Sequence, residues 1–396
     1  MRTMQLTRRR NEVRVVNDKA NARRPRKRWK RVVKWTLGTI FLALFLWGFV
    51  AYWTSTNDCD RKTTAVPANP MKAIIKCEYG IDNLKLRDVE KPTPANGQLL
   101  VRVRAISVNP VDGHLTRGMW LARMMGGLRK PKDTTVGVDY SGVVEAVGKN
   151  VTSFKPGDEV FGGKTGAFAE YIAVKADRAV VLKPANISFE QAGSVGVAGL
   201  TALQGLRDKG HVQAGQKVLI NGASGGVGTF AVQIAKSLGA DVTGVCSTRN
   251  VDLVKSIGAD RVIDYTKEDF TKGDQHYDVI FDNVQNHSFS ERQHALVENG
   301  ICVLAGIGGA GWHPETAGRI AGSFIAPLRS KFSKQKFVFF IAQFNHNDLA
   351  YLADLMQSGK VTPVIDRTYK SLGEVPDALQ YLEQGHARGK VVISVE

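Results

Sequence analysis

Residues 221–228 (NGASGGVG) form a glycine-rich turn between a short apolar run, KVLIN at 217–221, and an amphipathic segment that reaches Leu238. A strand, a glycine-rich turn and a helix in this order are typical of a dinucleotide-binding fingerprint. Glycines let the backbone approach a pyrophosphate, and the helix N-terminus offers amide donors and a partial positive charge. Alanine replaces the first glycine of GxGxxG. The pattern therefore predicts diphosphate binding by Ala223, Ser224, Gly225, Gly226, Val227 and Gly228.

The end of the second predicted strand, DVTGVCS at 241–247, indicates which dinucleotide is preferred. A site for NADH places an acidic residue there to bind the ribose hydroxyls. Residues 246–250 (CSTRN) contain no carboxylate. Ser247, Thr248 and Arg249 can instead bind and neutralise a 2′-phosphate, which favours NADPH. The alternative for Arg249 is a solvated surface side chain.

The elements that position these residues change character along the chain. From about residue 188, helical segments alternate with apolar runs at 217–221, 241–247, 260–265, 278–284 and 300–306, a pattern typical of a doubly wound parallel sheet. Residues 71–187 contain short strands and glycine turns, among them the alternating LLVRVRAISV at 99–108. We therefore predict a mostly β domain at 71–195 and 360–396, and a dinucleotide-binding domain at 196–359.

The basic charge is concentrated at the N-terminus. The chain carries +17, and residues 1–34 hold 14 Lys and Arg against two acidic residues, a net +12. Residues 35–53 have no charged side chain and as a helix would span roughly 28 Å, close to the hydrocarbon thickness of a bilayer. We predict a basic segment at 1–34, a transmembrane helix at 35–53 and a linker at 54–70. A cleaved signal peptide is the alternative, although no clear cleavage site follows Trp53.

The basic cluster at 23–34 directly precedes this helix, which favours contact with anionic lipid over nucleic acid. The sequence thus predicts a single-pass membrane protein. Positive charge before the span keeps the N-terminus in the cytoplasm, which would put the body on the other side, where NADPH is scarce. A surface-lying helix or an unusual topology would avoid that conflict, but the charge rule favours an exported body on the non-cytoplasmic side.

The remaining composition is that of a globular protein. Among 396 residues, 43% are apolar and 23% charged, which excludes wholesale disorder. The four cysteines, Cys59, Cys77, Cys246 and Cys302, show no CxxC spacing and are too few to staple a small fold. The sequence therefore predicts neither a disulfide scaffold nor a Cys-type zinc ribbon. Cys59, near the apolar helix, is expected to be free or lipidated.

Residues 71–396 resemble the medium-chain dehydrogenase/reductase superfamily in its zinc-free, quinone oxidoreductase-like branch. The matching blocks run in family order over about 325 residues: VNPVD (108–112), GVDYSGVVEAVG (137–148), FKPGDEVFG (154–162), GAFAEY (166–171), AGLTALQGL (198–206), the glycine-rich turn and ARGKVVI (387–393). The resemblance implies an α/β protein with a GroES-like mostly β catalytic domain, a Rossmann domain, a cleft between them and a homodimer.

Zinc-dependent relatives bind catalytic zinc through a Cys at the position of Asn109, a His at that of Val138 and a Cys at that of Val197. None of the three residues present here ligates zinc well. The resemblance therefore implies a zinc-independent, NADPH-dependent reductase of activated acceptors: a quinone, an enal or an enone. An NAD(P)-dependent alcohol or aldehyde dehydrogenase is one alternative, and a catalytically weak, membrane-tethered NADPH-binding module is another.

The resemblance also suggests roles for single residues. Asn109 is expected to face the nicotinamide end of the cleft, with Thr201 and Asn283 near the nicotinamide. Tyr265 is a candidate for the adenosine phosphate, with ordinary packing as the alternative. Tyr140 is a candidate proton donor, with core filling as the alternative and solvent as another proton source.

For two carboxylates near these residues, a structural role is the alternative to a role in the site. Asp112 can hold the loop after Asn109, and Asp139 can form an internal salt bridge.

Two apolar stretches could bind a small hydrophobic electron acceptor or lie on lipid. The first comprises Met119, Trp120, Leu121, Met124, Met125 and Leu128. The second recurs at helical spacing, with basic residues between its members: Ile320, Phe324, Leu328 and Phe332. A subunit interface or local core is the alternative for both.

Overall fold

The computed structural model describes residues 25–57, 59, 66–306 and 316–395, and the chain divides between Ser55 and Thr56 into two compact units. The first unit contains helix α1, Pro25–Trp53. Its segment Val32–Val50 has a mean hydropathy of 1.7 and is not buried. The predicted apolar helix is therefore present, and it ends at Trp53. By length and composition it is able to cross a membrane.

The second unit begins with a two-stranded antiparallel sheet and continues into a larger mixed one. In the larger sheet the strands run in the order β14-β15-β3-β4-β5-β7, and β6 also pairs with β3. These strands are β1 (Pro70–Lys76), β2 (Leu84–Glu90), β3 (Gln98–Val108), β4 (Asp139–Val147), β5 (Glu159–Gly163), β6 (Tyr171–Lys175), β7 (Val180–Leu182), β14 (Ile365–Tyr369) and β15 (Lys390–Ser394).

A six-stranded sheet follows, parallel throughout, in the order β10-β9-β8-β11-β12-β13. Its strands are β8 (Lys217–Asn221), β9 (Asp241–Cys246), β10 (Arg261–Asp264), β11 (Tyr277–Asp282), β12 (Leu296–Ala305) and β13 (Lys336–Phe340). The sequence-based prediction of a doubly wound parallel sheet is confirmed. The strand order reverses beside β8, where such folds bind ligands.

The helices of the second unit connect these strands. They are α2 (Pro110–Arg117), α3 (Trp120–Gly126), α4 (Phe189–Ala192), α5 (Gly196–Leu203), α6 (Gly226–Ser237), α7 (Val251–Ser256), α8 (Phe289–His294), α9 (Thr316–Ser330), α10 (His346–Gln357) and α11 (Val375–Glu383). A π-helical turn, Gln204–Lys209, extends α5. Short 3₁₀ turns lie at Ile81–Asn83, Thr248–Asn250 and Leu372–Glu374.

Each sheet is held by apolar side chains that alternate along its strands. On β11, Val279 and Phe281 pack into one core, whereas Ile280 between them packs into another on the opposite face. Both faces of the parallel sheet are thus covered, as its crossover helices require. On β3, Val101 and Val103 pack into a third core, inside the mixed sheet.

A disulfide joins Cys59 in the predicted linker to Cys77 directly after β1, with the two Cα atoms 5.5 Å apart. The Asn57 amide also donates to the Cys77 carbonyl oxygen at 2.8 Å. The expectation that Cys59 is free or lipidated is therefore wrong. Two residues separated by 18 positions could not be paired from sequence, because chain folding brings them together. Cys246 and Cys302 are buried free thiols.

Candidate functional site

The glycine-rich turn lies between β8 and α6, at the carboxyl end of a central strand of the parallel sheet. Gly222 has φ +84°, which glycine adopts without strain. A Cβ on Gly228 would lie 2.0 Å from the Gly222 carbonyl oxygen, so the helix approaches the strand this closely only without a side chain there. A Cβ on Gly225 would have no neighbour nearer than 3.5 Å. The backbone at Gly225 is therefore open to a ligand.

The other residues predicted to bind the diphosphate surround this opening. Ala223 is fully buried, whereas Ser224, Gly226 and Val227 are half-buried. The first amides of a helix have no partner within the helix, and in α6 they follow Gly225 directly. An open backbone followed by these donors fits a dinucleotide diphosphate.

Ser247, Thr248 and Arg249 follow β9 beside this turn. The Thr248 hydroxyl donates to Asp264 Oδ2 at 2.6 Å, and Arg249 Nη2 donates to the His386 carbonyl oxygen at 2.9 Å. The hydrogen bond from Thr248 holds the pKa of Asp264 below its usual range. The segment 246–250 has no carboxylate of its own. Because β10 pairs directly with β9, Asp264 at the end of β10 brings one to this segment.

The remaining residues suggested for cofactor binding lie in different surroundings. Tyr265 follows β10 and is 62% exposed, so its ring is not packed in a core. Thr201 on α5 is nearly buried, and its hydroxyl donates to the Val197 carbonyl oxygen at 2.7 Å. The Asn283 backbone donates to the Asn221 carbonyl oxygen at 3.3 Å. Asn283 therefore lies at the same sheet edge as the glycine-rich turn.

Asn109 is 2% exposed and uses both ends of its amide within the chain. Its Nδ2 donates to Asp139 Oδ2 at 2.9 Å, and its Oδ1 accepts from Lys390 Nζ at 2.6 Å. Lys390 Nζ also lies 3.6 Å from Asp139 Oδ2, and the Ser107 hydroxyl donates to the same oxygen at 3.0 Å. The internal salt bridge considered for Asp139 is thus present. Asn109 belongs to this ionic network, which limits what its amide can offer a ligand.

Asp112 lies in the first turn of α2, where its carboxylate accepts the backbone N–H of Asn109 at 2.8 Å. It therefore holds the loop after Asn109, the structural alternative considered for it. Burial, with the nearby Asp139 charge in second place, raises the pKa of Asp112 to about 7. The same burial lowers the pKa of the Lys390 ammonium, while the two carboxylates oppose that shift.

Asp139 also connects Asn109, Val138 and Val197, the three positions that the resemblance matches to zinc ligands. Asn109 bonds one of its oxygens, the Val197 backbone N–H donates to the other at 2.8 Å, and Val138 precedes it in the chain. Among the described residues, no group of three or more His, Cys, Asp or Glu is placed to hold a metal ion.

Tyr140 points to the opposite face of β4 from Asp139 and is fully buried in the core of the mixed sheet. Its hydroxyl has no hydrogen-bond partner among the described residues, and burial raises its pKa. A proton donor must reach the reacting atom, whereas Tyr140 is fully buried and its hydroxyl is not exposed. The position therefore favours core filling over the suggested role as a proton donor.

The two apolar stretches are partly exposed. In the first, Trp120 and Met124 are 52% and 55% exposed, whereas Met119 is buried. In the second, on and after α9, Phe324, Leu328 and Phe332 are exposed. The side chains of Leu121, Met125 and Ile320 lie outside the described part of the structure.

Two residues beside the site, Lys390 and Asn250, are not predicted by any sequence pattern. Lys390 lies in the ARGKVVI block, but nothing local marks its side chain as the partner of Asn109, 281 positions away. Its Cδ also lies 3.1 Å from where a Cβ on Gly226 would be, which brings the ionic network next to the glycine-rich turn. Asn250, in the CSTRN segment, contacts both Ser224 and Ser247.

Comparison with known proteins places two parts of the chain in described families. Residues 95–185 match the "Alcohol dehydrogenase GroES-like domain", and residues 257–393 match "Zinc-binding dehydrogenase".

Similar whole proteins include reductases. The chain is 35% identical over 349 residues to a 2-methylene-furan-3-one reductase of Solanum lycopersicum, covering 84% of this chain and 81% of that protein. It is 33% identical to a chloroplastic NADPH-dependent alkenal/one oxidoreductase of Arabidopsis thaliana, covering 82% and 79%. The structure of a quinone oxidoreductase from Coxiella burnetii matches with a TM-score of 0.70 at 32% identity, covering 83% of this chain and all of that one.

Proposed function

The chain belongs to the medium-chain dehydrogenase/reductase superfamily and is an NAD(P)H-dependent oxidoreductase of its quinone oxidoreductase-like branch, and we propose that it reduces conjugated acceptors with NADPH without zinc. Quinones, enals and enones are the substrate class. The observation that supports this proposal is the ionic network of Asn109, Asp139 and Lys390, which lies beside an open dinucleotide turn.

The preference for NADPH rests on the loop after β9. Ser247 and Arg249 offer donors, and the guanidinium has five N–H groups, of which one contacts the His386 carbonyl oxygen. Thr248 donates its hydroxyl hydrogen to Asp264, whose charge would repel a 2′-phosphate. The Arg249 cation and the exposed Tyr265 hydroxyl must outweigh that repulsion, so we assign the 2′-phosphate to these two side chains together with the Ser247 hydroxyl.

The chemistry of the donor set supports the proposed independence from zinc. An amide and two valines replace the thiolates and imidazole that zinc prefers. The Lys390 ammonium, 2.6 Å from Asn109 Oδ1, already supplies a positive charge there and would repel a second cation.

When bound, the cofactor supplies a hydride. The glycine-rich turn would hold its diphosphate, and Thr201 and Asn283 would orient its nicotinamide end. On an enone, hydride addition at the β-carbon moves an electron pair to the oxygen, and the enolate then takes a proton at the α-carbon. On a quinone, hydride and proton together give the hydroquinone. Because Tyr140 is fully buried in the core of the mixed sheet, we assign the proton to water.

This function is tested with the full chain in detergent or nanodiscs. Oxidation of NADPH and NADH is followed against quinones, enals, enones and simple aldehydes, with and without a chelator. We expect chelator-insensitive turnover of conjugated acceptors with a preference for NADPH. Chelator-sensitive turnover of simple aldehydes would favour a metal-dependent dehydrogenase, and tight NADPH binding without turnover would favour a binding module.

We further propose that α1 anchors the protein in a membrane with the body on the non-cytoplasmic side. The net charge of +12 before the apolar segment keeps the N-terminus inside. The disulfide between Cys59 and Cys77 supports the same orientation, because disulfides persist in oxidising compartments. Protease added to intact cells should degrade the body. A body that is protected from the protease, and whose Cys59 and Cys77 react as free thiols with maleimide after lysis, would refute this topology.

We also propose a homodimer. Strand β13 is an edge of the parallel sheet, and one row of its backbone groups pairs with no strand among the described residues. Phe324, Leu328 and Phe332 are exposed close by in sequence. Light scattering of the full chain in detergent, corrected for the bound detergent, should give twice the 43.2 kDa chain mass; a single chain mass would refute the dimer.

A further inference from the structure

Asn250 connects the two segments that we assign to the cofactor. It closes the 3₁₀ turn Thr248–Asn250 after β9 and is 6% exposed. Its amide nitrogen donates to Ser224 Oγ at 3.0 Å, in the glycine-rich turn, and to Ser247 Oγ at 3.2 Å, at the end of β9. One buried side chain therefore contacts a hydroxyl in each segment.

The donors and acceptors of the Asn250 amide determine the direction of these hydrogen bonds. Its NH2 group has two hydrogens, and each serine takes one. If the amide oxygen and nitrogen of Asn250 exchanged places, both amide hydrogens would be buried without an acceptor. In the orientation observed, only the carbonyl oxygen lacks a partner among the described residues. Since each buried, unpaired polar group costs free energy, the observed orientation is the better one.

The hydrogen bond that each serine hydroxyl accepts from Asn250 determines which further hydrogen bonds that hydroxyl can form. A serine hydroxyl has one hydrogen and two acceptor lone pairs. With a lone pair of Ser224 and of Ser247 directed at Asn250, the hydrogens are left for another acceptor. Within the described residues, neither hydroxyl donates to the protein. Both are thus presented as donors.

We propose that Asn250 is a positioning residue that favours NADPH by holding Ser224 and Ser247 as hydrogen-bond donors toward cofactor phosphates. This inference rests on the proposed function. The diphosphate facing Ser224 is common to both dinucleotides, whereas the 2′-phosphate facing Ser247 belongs to NADPH alone. A phosphate oxygen only accepts, so a fixed donor suits it better than it suits a 2′-hydroxyl, which also donates.

The test replaces Asn250 by Asp in the full chain, with Kd for NADPH and NADH measured by fluorescence. Asp has the same size but only accepts, so both serines turn their hydrogens toward it, and its charge repels the 2′-phosphate. A lost hydrogen bond to a charged group corresponds to roughly 10- to 100-fold in Kd. We expect a loss of about that size for NADPH, a smaller loss for NADH, and therefore a lower preference for NADPH.

Two further variants separate positioning from a general loss of structure. Asn186→Ala removes an amide that donates to the Met356 carbonyl oxygen at 2.9 Å, away from the turn, and should leave the ratio of the two Kd values unchanged. Ser247→Ala removes the discriminating hydroxyl, so adding Asn250→Asp to it should change the ratio less than in the wild type. If Asn250→Asp does not fold, Asn250→Ser, which is smaller and uncharged, should still lower the NADPH preference.

Each result bears on one proposal. A folded Asn250 variant with the wild-type ratio, or an Asn250→Asp effect of the same size with and without Ser247, would overturn the role of Asn250 alone. Wild-type protein that binds neither dinucleotide would instead overturn the proposed function.

Discussion

Asp139 is a fully buried carboxylate, and side chains from several parts of the chain surround it. Ser107 comes from β3, Asn109 from the loop before α2 and Lys390 from β15. Removing one partner from a buried ion pair leaves a charge that neither water nor protein compensates. Lys390 is therefore expected to matter for stability more than its place near the C-terminus suggests.

Lys390→Met keeps the length of the side chain and removes its charge. We expect the free energy of unfolding to fall by about 3 kcal/mol or more, because Asp139 is left without its cation. Urea unfolding of the full chain in detergent measures the change.

The control for this variant is Lys72→Met, which breaks an ion pair with Asp88 whose side chains are 53% and 60% exposed. Such exposed pairs contribute less than about 1 kcal/mol. Equal losses in the two variants would contradict the account given for Lys390. Adding Asp139→Asn to Lys390→Met should recover part of the stability.

Asp112 predicts a pH dependence of stability. Its pKa is raised to about 7 by folding, so between about pH 4 and pH 7 the folded protein binds more protons than the unfolded chain. Stability from this group is therefore present at low pH and is lost as the pH rises toward 7. Asp112→Asn cannot titrate and keeps an oxygen for the Asn109 N–H. Between pH 5 and pH 7 its free energy of unfolding should fall less than that of the wild type, by about 2 kcal/mol.

Unfolding curves at several pH values measure this difference, with Asp88→Asn as an exposed control. Parallel pH profiles for the wild type and Asp112→Asn would show that the Asp112 proton is not linked to folding.

At the scale of an element, the turn between β8 and α6 combines two separate requirements. Gly228 is needed for packing, because a Cβ there would meet backbone at 2.0 Å. Gly225 has ordinary helix-cap geometry with φ −82° and room for a methyl group, so folding does not require glycine there. The open space at Gly225 is instead what a diphosphate would occupy.

Exchanging each glycine for alanine separates these roles. Gly228→Ala should lower the melting temperature and weaken NADPH binding, since the strand and helix must move apart. Gly225→Ala should melt within about 2 °C of the wild type, the shift of a surface change of roughly 0.5 kcal/mol, yet bind NADPH at least about tenfold more weakly. Thermal unfolding and fluorescence titration measure both. Unchanged NADPH binding by Gly225→Ala would place the diphosphate elsewhere.

At the scale of the whole molecule, an oxidoreductase body follows an apolar helix. None of Val32–Val50 is buried within the protein, so its large apolar side chains are exposed. In the membrane anchor that we propose, a bilayer would cover these side chains, and the basic residues before the helix would suit anionic headgroups.

Charges in the middle of α1 test this anchor. Leu42→Arg combined with Leu46→Arg should release the protein from the membrane fraction in carbonate extraction, because each arginine costs about 3 kcal/mol in a spanning helix. The control Val66→Arg changes a residue that is 93% exposed and lies outside the helix. A soluble wild type would contradict the anchor, whereas a soluble double variant with NADPH reductase activity would show that catalysis does not require it.

The sequence by itself determined those features that depend only on residues close together along the chain. Hydrophobic alternation identified β3. The glycines identified the turn after β8, and the apolar run before them identified the end of β8 at Asn221. The uncharged run at 35–53 identified the C-terminal part of α1 and its end at Trp53, whereas the helix begins at Pro25. Backbone geometry and side-chain periodicity are local, so these patterns are legible without knowing where the rest of the chain lies.

Only the tertiary structure decided which side chains meet. Asn109 could be singled out from its position in a motif, but its partner Lys390 is 281 residues away. Asp264 reaches Thr248 because β10 lies beside β9, and Cys77 pairs with Cys59 because the chain returns to β1. Strand order and register set these contacts, and they depend on how all the elements pack together, which no local pattern encodes.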